Sequence, residues 1–240
     1  MKITAISDIH GSLINISKTD LLIIAGDFSP LEKQCNTYGM NEWMGEAFIP
    51  WLKDIPAEKI VFIAGNHDFI CDSNYLDIID DNKKVSFKSD ILNPLLRKHN
   101  ITHKVKYLEC SSTIYKSVRI YGCPYVEGLY GWAFSQAENL QIYRTIPKCD
   151  ILITHHPPVY NSIGRSVING LEREFGSYEL METIKNKKPK LLFCGHIHGG
   201  DHNIQVYEHL DGSKTEMYNC SIKDENYDSV FKPIVIDVDL

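Results

Sequence analysis

No Cys-x-x-Cys pair occurs in this chain, although it holds seven cysteines. An odd count without that spacing argues against a disulfide framework and a thiolate zinc site. It fits reduced thiols in a cytosolic protein. Long apolar runs are missing too, where a membrane-spanning helix needs roughly 20 such residues. There is no basic excess: 25 Lys and Arg face 31 Asp and Glu, a net charge of -6. That balance gives no sign of a nucleic-acid surface and disfavours a DNA nuclease. Low-complexity tracts, fixed-period repeats and linkers rich in Pro, Gly or Ser are also absent. Met1 leads straight into a β-like run, which leaves no room for a cleaved signal, so a cytoplasmic location is expected. With 240 residues and 43% hydrophobic content, the chain is expected to form one domain, 1–240, around one substantial core.

What is present is a set of metal-type residues, each group placed directly after a short β-like run. Residues 2–7 lead to Asp8-Ile9-His10, and residues 21–25 lead to Gly26-Asp27. Residues 60–64 lead to Gly65-Asn66-His67-Asp68, residues 151–154 to His155-His156, and residues 191–194 to Gly195-His196-Ile197-His198. The first three runs are continuously apolar rather than alternating, which indicates strands covered on both faces. Five strands would then deliver carboxylate, amide and imidazole groups to one sheet edge.

The rest of the chain fills in an α/β pattern. Residues 41–54 carry near-helical periodicity that Pro50 interrupts, as one helix or two short pieces. Short strands are expected at 104–109, 113–116 and 118–122, and helices at 136–144 and 178–186. The cationic run from Lys185 to Lys190 suits a helix end. Residues 203–209, 214–220 and 233–238 read as antiparallel strands, with Asp211-Gly212 as a hairpin turn. Two facing mixed sheets flanked by helices, a four-layer α/β/β/α sandwich with a dinuclear metal site at the strand ends, accommodate this order.

Two metal ions roughly 3.5–4 Å apart can activate a water and clamp a phosphoryl group together. Such a site needs hard oxygen ligands, imidazoles and one bridging carboxylate. Asp8 and His10, two apart on an extended segment, can project toward one ion. Asp27 follows a glycine that permits close backbone approach and suits the bridge. Asn66 offers a neutral oxygen, and His155, His196 and His198 offer nitrogens. His67 lies beside a ligand without needing to bind metal. An adjacent carboxylate, Asp68, would keep its ring charged and positioned.

These motifs resemble the calcineurin-like metallophosphoesterase superfamily, whose pattern is Asp-x-His, Gly-Asp, Gly-Asn-His-Asp/Glu, a later His, then Gly-His-x-His. All five blocks are present in order with no ligand substituted. The resemblance implies that one metal takes Asp8, His10, Asp27 and His198. The other takes Asp27, Asn66, His155 and His196. It makes His67 the donor to the phosphoester oxygen and Asp68 the group that orients it. Tyr121-Gly122-Cys123-Pro124, Gly131-Trp132-Ala133-Phe134 and His155-His156-Pro157-Pro158 are similar to a branch of small metallophosphoesterase-domain-containing proteins. That branch implies a phosphodiesterase acting on cyclic nucleotides and aryl diesters, with manganese the most activating metal and iron, zinc or cobalt as other candidates. Some of its members carry Gly at the position of His196 and are weak enzymes; this chain keeps the His.

Other readings stand beside this one. A protein Ser/Thr phosphatase would carry phosphate-gripping arginines near Gly26-Asp27 and before Gly65, and neither is present. A non-catalytic scaffold on the same fold would have lost ligands. His156 reads as a packing residue or a substrate contact. Trp132 and Phe134 read as core aromatics or as a platform for a nucleobase. His209 has no metal-ligand spacing and reads as a surface residue. The expected partner is a small phosphoester, possibly a nucleotide in kind, with no nucleic-acid or membrane signal.

Overall fold

The computed structural model describes residues 1–79, 85–135 and 141–239. β1 (Lys2–Ile6), β2 (Thr19–Ala25), β3 (Ala57–Ile63) and β4 (Val105–Tyr107) run parallel in the first sheet. β5 (Ser111–Tyr115), β6 (Val118–Cys123) and β7 (Ile151–Thr154) begin the second. β8 (Arg165–Ile168) and β9 (Leu171–Glu174) form a separate hairpin. β10 (Leu191–Cys194), β11 (Gln205–Glu208) and β12 (Lys214–Asn219) complete the second sheet, ordered β11-β12-β10-β7-β6-β5. β13 (Ile234–Asp237) returns to pair antiparallel with β1 at the edge of the first.

Alternate residues of the apolar strands explain the layering. Ile3, Ala5, Leu21, Ile23, Val61 and Ile63 meet Ile120, Ile151, Ile153, Leu191 and Phe193 between the two sheets. The intervening residues Ile6, Leu22, Ile24, Ile60 and Phe62 face outward, against Met40, Met44, Phe48, Leu52 and Leu96. On the far face, Tyr121, Leu152, Leu192 and Met217 pack on Tyr143, Leu180, Met181 and Ile184. A strand buried on both sides cannot alternate with polar residues, so the continuous runs and the four-layer sandwich have one cause.

The helices are α1 (Thr37–Trp43), α2 (Ile49–Asp54), α3 (Ser73–Ile79), α4 (Asn93–Lys98), α5 (Gln141–Arg144) and α6 (Tyr178–Lys187). Pro50 produces neither one regular helix nor two separate pieces. α1 runs into α2 through a wide turn, Met44–Phe48, in which the Ile49 N–H donates to Met44 O five residues back. That local widening takes up the missing donor and ring clash of proline. Pro94 in α4 is preceded by the same device, Phe87–Leu92, closed by Asn93 N–H to Lys88 O.

Three expectations need correction or limits. The helix expected over 136–144 is described only as α5, and residues 136–140 lie outside the described residues. β13 does not continue the β11–β12 pair but crosses to the other sheet. His209 is buried, with its Nε2 2.9 Å from Thr215 Oγ1. The β8–β9 hairpin was not anticipated, although Asn169-Gly170, both at positive φ, carries a two-residue hairpin signature. Lys185 and Lys187 do occupy the last turn of α6. Among the described residues, no helix is long and apolar enough to cross a membrane.

Candidate metal centre

The two sheets meet at one edge. The end of β1 touches the end of β12 through a Ser7–Ser221 bridge, with Ser7 N–H donating to Cys220 O at 2.7 Å. Ser7 Oγ also donates to Ala25 O at 2.9 Å, tying the end of β2 to the same point. The loops after β1, β2, β3, β7 and β10 therefore open onto a single place.

Backbone conformation there departs from the extended path expected for residues 8–10. Asp8, His10, Asp27 and His196 adopt left-handed φ of 53°, 40°, 53° and 68°. Each such residue costs on the order of 1–3 kcal/mol, and that cost persists only where the surroundings impose it. The turn brings Asp8 and His10 into one donor cluster with His198 while Ile9 packs in the core.

The glycines of three motifs are required by the ligands crossing them. A Cβ on Gly26 would lie 2.5 Å from His155 Nδ1, at a φ of +98°. On Gly65 it would lie 2.6 Å from His155 Nε2 and also press on Asp27 Oδ1. On Gly195 it would press on Asp8 Oδ2 and Ser7.

Three overlapping groups of donors come within 4.8 Å of one another: Asp8, His10 and His198; His10, Asp27 and His67; and Asp8, Asp27 and His155. His155 Nδ1 donates to Ala25 O at 2.8 Å, which leaves Nε2 3.1 Å from both Asp27 Oδ2 and Asn66 Oδ1. His198 Nδ1 donates to Asp224 O at 2.9 Å, which leaves Nε2 3.3 Å from Asp8 Oδ1. A backbone carbonyl on one ring nitrogen fixes the tautomer and aims the other nitrogen at a cation.

Burial alone would lower His155 and raise Asp27. Their mutual attraction, joined by Asp8, instead pushes His155 up to about 9 and holds Asp27 below the usual carboxylate range. Burial likewise opposes the His198–Asp8 pair and is outweighed by the hydrogen bond between them, which raises His198 to about 9. These carboxylates demand a cation, and a divalent ion would displace the imidazole protons. Both ring nitrogens of His10 are buried without any hydrogen-bond partner, as a ligand nitrogen would be. The donor set fits a dinuclear divalent centre.

A sequence profile described as calcineurin-like phosphoesterase matches residues 1–200. Human metallophosphoesterase domain-containing protein 1 is 31% identical over 247 residues, covering 99% of this chain and 71% of that protein. The chain belongs to the calcineurin-like phosphoesterase family. A Caenorhabditis elegans relative, UPF0046 protein T07D4.2, is 27% identical over 95% of this chain and 58% of its own length. The solved structure of phosphopantetheinyl hydrolase from Mycobacterium tuberculosis aligns over 97% of this chain with a TM-score of 0.50 at 15% identity, a likeness of fold.

This phosphoesterase has an open cleft of about 310 Å³ beside the clustered donors, lined by Asp27, Asn66, His67, His196, His198, Trp132, Leu129, Glu225 and Tyr227. His196 reaches the cavity while its N–H donates to both Asp8 oxygens at 3.1 Å, and burial holds its ring well below the usual imidazole range. His67 is nearly buried, its N–H donating to Asp27 Oδ1 at 2.8 Å and its Nε2 3.9 Å from Asp27 Oδ2.

One expected contact is corrected, and two readings left open fall on the packing side. Asp68 does not orient the His67 ring. Its carboxylate accepts from Ser29 N at 2.9 Å, Ser29 Oγ at 2.6 Å and Gly65 N at 2.8 Å, pinning two ligand loops together. Burial and nearby Asp27 push that carboxyl up to about 7. His156 has the contacts of a packing residue. Its Nδ1 accepts from Glu127 N at 3.2 Å, its Nε2 donates to Phe175 O at 2.8 Å, and burial lowers it to about 4. Phe134 is 1% exposed, packs edge-on against Tyr125, and supports the loop from within. Trp132 alone of that aromatic pair faces the cavity, its ring 4.6 Å from His67.

Sequence reasoning missed Tyr227, Glu225 and Gln34. Tyr227 sets its ring 5.0 Å from His10 and 5.1 Å from His198, at φ 64°. Glu225 accepts from Gly199 N at 2.8 Å. Both follow β12, outside every motif, and no spacing signal marks them.

Proposed function

We propose that this phosphoesterase hydrolyses small phosphodiesters, cyclic nucleotides or aryl diesters, with two divalent ions of which manganese activates best. The observation that carries the reading is the charge of the cavity lining. Among the described residues it contains no lysine or arginine, and Glu225 adds negative charge at its rim. A phosphomonoester brings about two negative charges at neutral pH, and its grip ordinarily calls for fixed cations beyond the metals. A diester brings one, which the ions alone can balance.

Asp8, His10, Asp27 and His198 would hold one ion, and Asp27, Asn66, His155 and His196 the other. Mixed oxygen and imidazole donors suit manganese and admit iron, zinc or cobalt. Bound ions supply Lewis acidity toward phosphoryl oxygens and lower the pKa of water. The chain's own groups do the rest. Backbone carbonyls of Ala25 and Asp224 fix the imidazole tautomers. Asp68 holds the Gly65 and Ser29 loops in register. Trp132, beside His67, offers a flat face to a base or aryl ring. His67 Nε2, aimed at the cavity, donates a proton to the leaving oxygen.

Asp27→Ala and Asn66→Ala should each abolish manganese-stimulated hydrolysis of bis-nitrophenyl phosphate while circular dichroism stays that of the wild type. Near wild-type rates in either variant would refute the assignment of this site.

A further inference from the structure

His67 has a partner that its neighbour Asp68 cannot be. Its Nδ1 is hydrogen-bonded to Gln34 Oε1. Gln34 sits in a turn fixed on both sides. Pro30, before it, lies where a Cβ on Gly11 would come within 2.9 Å, so the turn is seated on the loop that carries His10. Cys35, after it, accepts from the Tyr75 hydroxyl at 3.1 Å. Asn36 N–H donates to Lys33 O at 2.8 Å, and the Asn36 side chain caps α1 through Gly39 N at 2.9 Å. Three contacts thus hold the backbone on either side of Gln34, whose side-chain amide bonds the ring.

An amide oxygen can only accept. It keeps a proton on His67 Nδ1 and leaves Nε2 for the cavity. Around the rest of the ring lie His10 edge-on at 4.8 Å, Trp132 at 4.6 Å and, beyond hydrogen-bond reach, Asp27 Oδ2 at 3.9 Å from Nε2. Among the described contacts, Gln34 is the polar group that orients the ring.

We infer that Gln34 is the positioning residue for His67, and that it serves hydrolysis of diesters with poor, alkoxide leaving groups. The inference rests on the phosphodiesterase reading. Water takes the place of the leaving group at phosphorus, keeping one proton on the product and releasing the other to solvent, which recharges His67 for the next turnover. As the P–O bond breaks, its electron pair stays on the leaving oxygen, which takes the Nε2 proton of His67. The neutral imidazole that results keeps its Nδ1–H on Gln34. A nitrophenoxide leaves without a proton, so it gains little from this arrangement. The ribose oxygen of a cyclic nucleotide depends on it.

The test compares wild type, Gln34→Ala and Gln34→Glu in the full chain loaded with manganese. Gln34→Ala should lose about 10- to 100-fold in kcat/KM on a cyclic nucleotide, the scale of a misplaced catalytic group. Its loss on bis-nitrophenyl phosphate should be several-fold smaller, and its metal content should stay at the wild-type level. Gln34→Glu, which keeps the acceptor oxygen, should restore most of the loss. In the zinc-loaded chain, side-chain NMR should show a slowly exchanging His67 Nδ1 proton that disappears in Gln34→Ala. An equal effect on both esters, no effect on either, or loss of metal in Gln34→Ala would overturn the inference. If the wild type hydrolyses neither ester, the phosphodiesterase reading fails and the NMR comparison alone decides. A His67 Nδ1 proton that exchanges alike in wild type and Gln34→Ala then overturns the role of Gln34.

Discussion

Gly65 and Gly195 have no side-chain ligand atom, yet each governs the space of candidate ligands that do. A methyl group on Gly65 would enter the space of Asp27 and His155, and one on Gly195 that of Asp8 and Ser7. Neither obstacle is the far end of a flexible side chain, since all four groups are packed and buried. Gly65→Ala and Gly195→Ala should therefore each lower bound metal, by elemental analysis, to one ion or fewer per chain. Two ions retained in either variant would mean the loops shift more freely than their packing suggests. The same scale separates neighbours that look alike in sequence. His155 aims Nε2 at carboxylates, while His156 spends both nitrogens on the backbone. Trp132 faces the cavity, while Phe134, two residues on, is core. Such differences depend on which way a loop turns, and the local pattern does not encode that.

At the scale of elements, α6 offers a clean test of local packing. Ser177 caps it by accepting from Leu180 N–H at 3.0 Å and also bonds the Glu127 carboxylate, in the loop that meets His156. Ser177→Ala should cost about 1–2 kcal/mol, read as a lower denaturant midpoint with unchanged slope. An unaltered midpoint would show the cap to be dispensable. The strands themselves were largely legible. The runs at 151–154 and 191–194 coincide with β7 and β10, and the apolar runs leading to Asp8, Asp27 and Asn66 fall on β1, β2 and β3. Burial on both faces writes itself as an unbroken apolar run, so those elements and their order could be read directly. The segments 28–40 and 71–104 could not. They hold Gln34, Tyr75 and the proline-relieving wide turn Phe87–Leu92, whose placement depends on contacts with distant loops. The motifs mark the candidate ligands that cluster, but the partner of His67 comes from a stretch without any motif.

The whole molecule concentrates strain and like charge at one edge and offsets them through packing elsewhere. Four ligand residues hold left-handed backbone, and Asp8 and Asp27 lie buried close together. Divalent ions bound only by the folded state should stabilise it by about 3 kcal/mol at a hundredfold excess over Kd. Chelation with EDTA should then lower Tm by about 5–10 °C, and added manganese should restore it. An unchanged Tm would argue that no ion joins these carboxylates. The measurement that bears most directly on the account is kcat/KM for matched nitrophenyl monoesters and diesters, with manganese, zinc, iron or cobalt supplied in turn. A cavity whose described lining holds no lysine or arginine, with a carboxylate at its rim, predicts that diesters win with every metal, and by the widest margin with manganese. Preference for the monoester would contradict it.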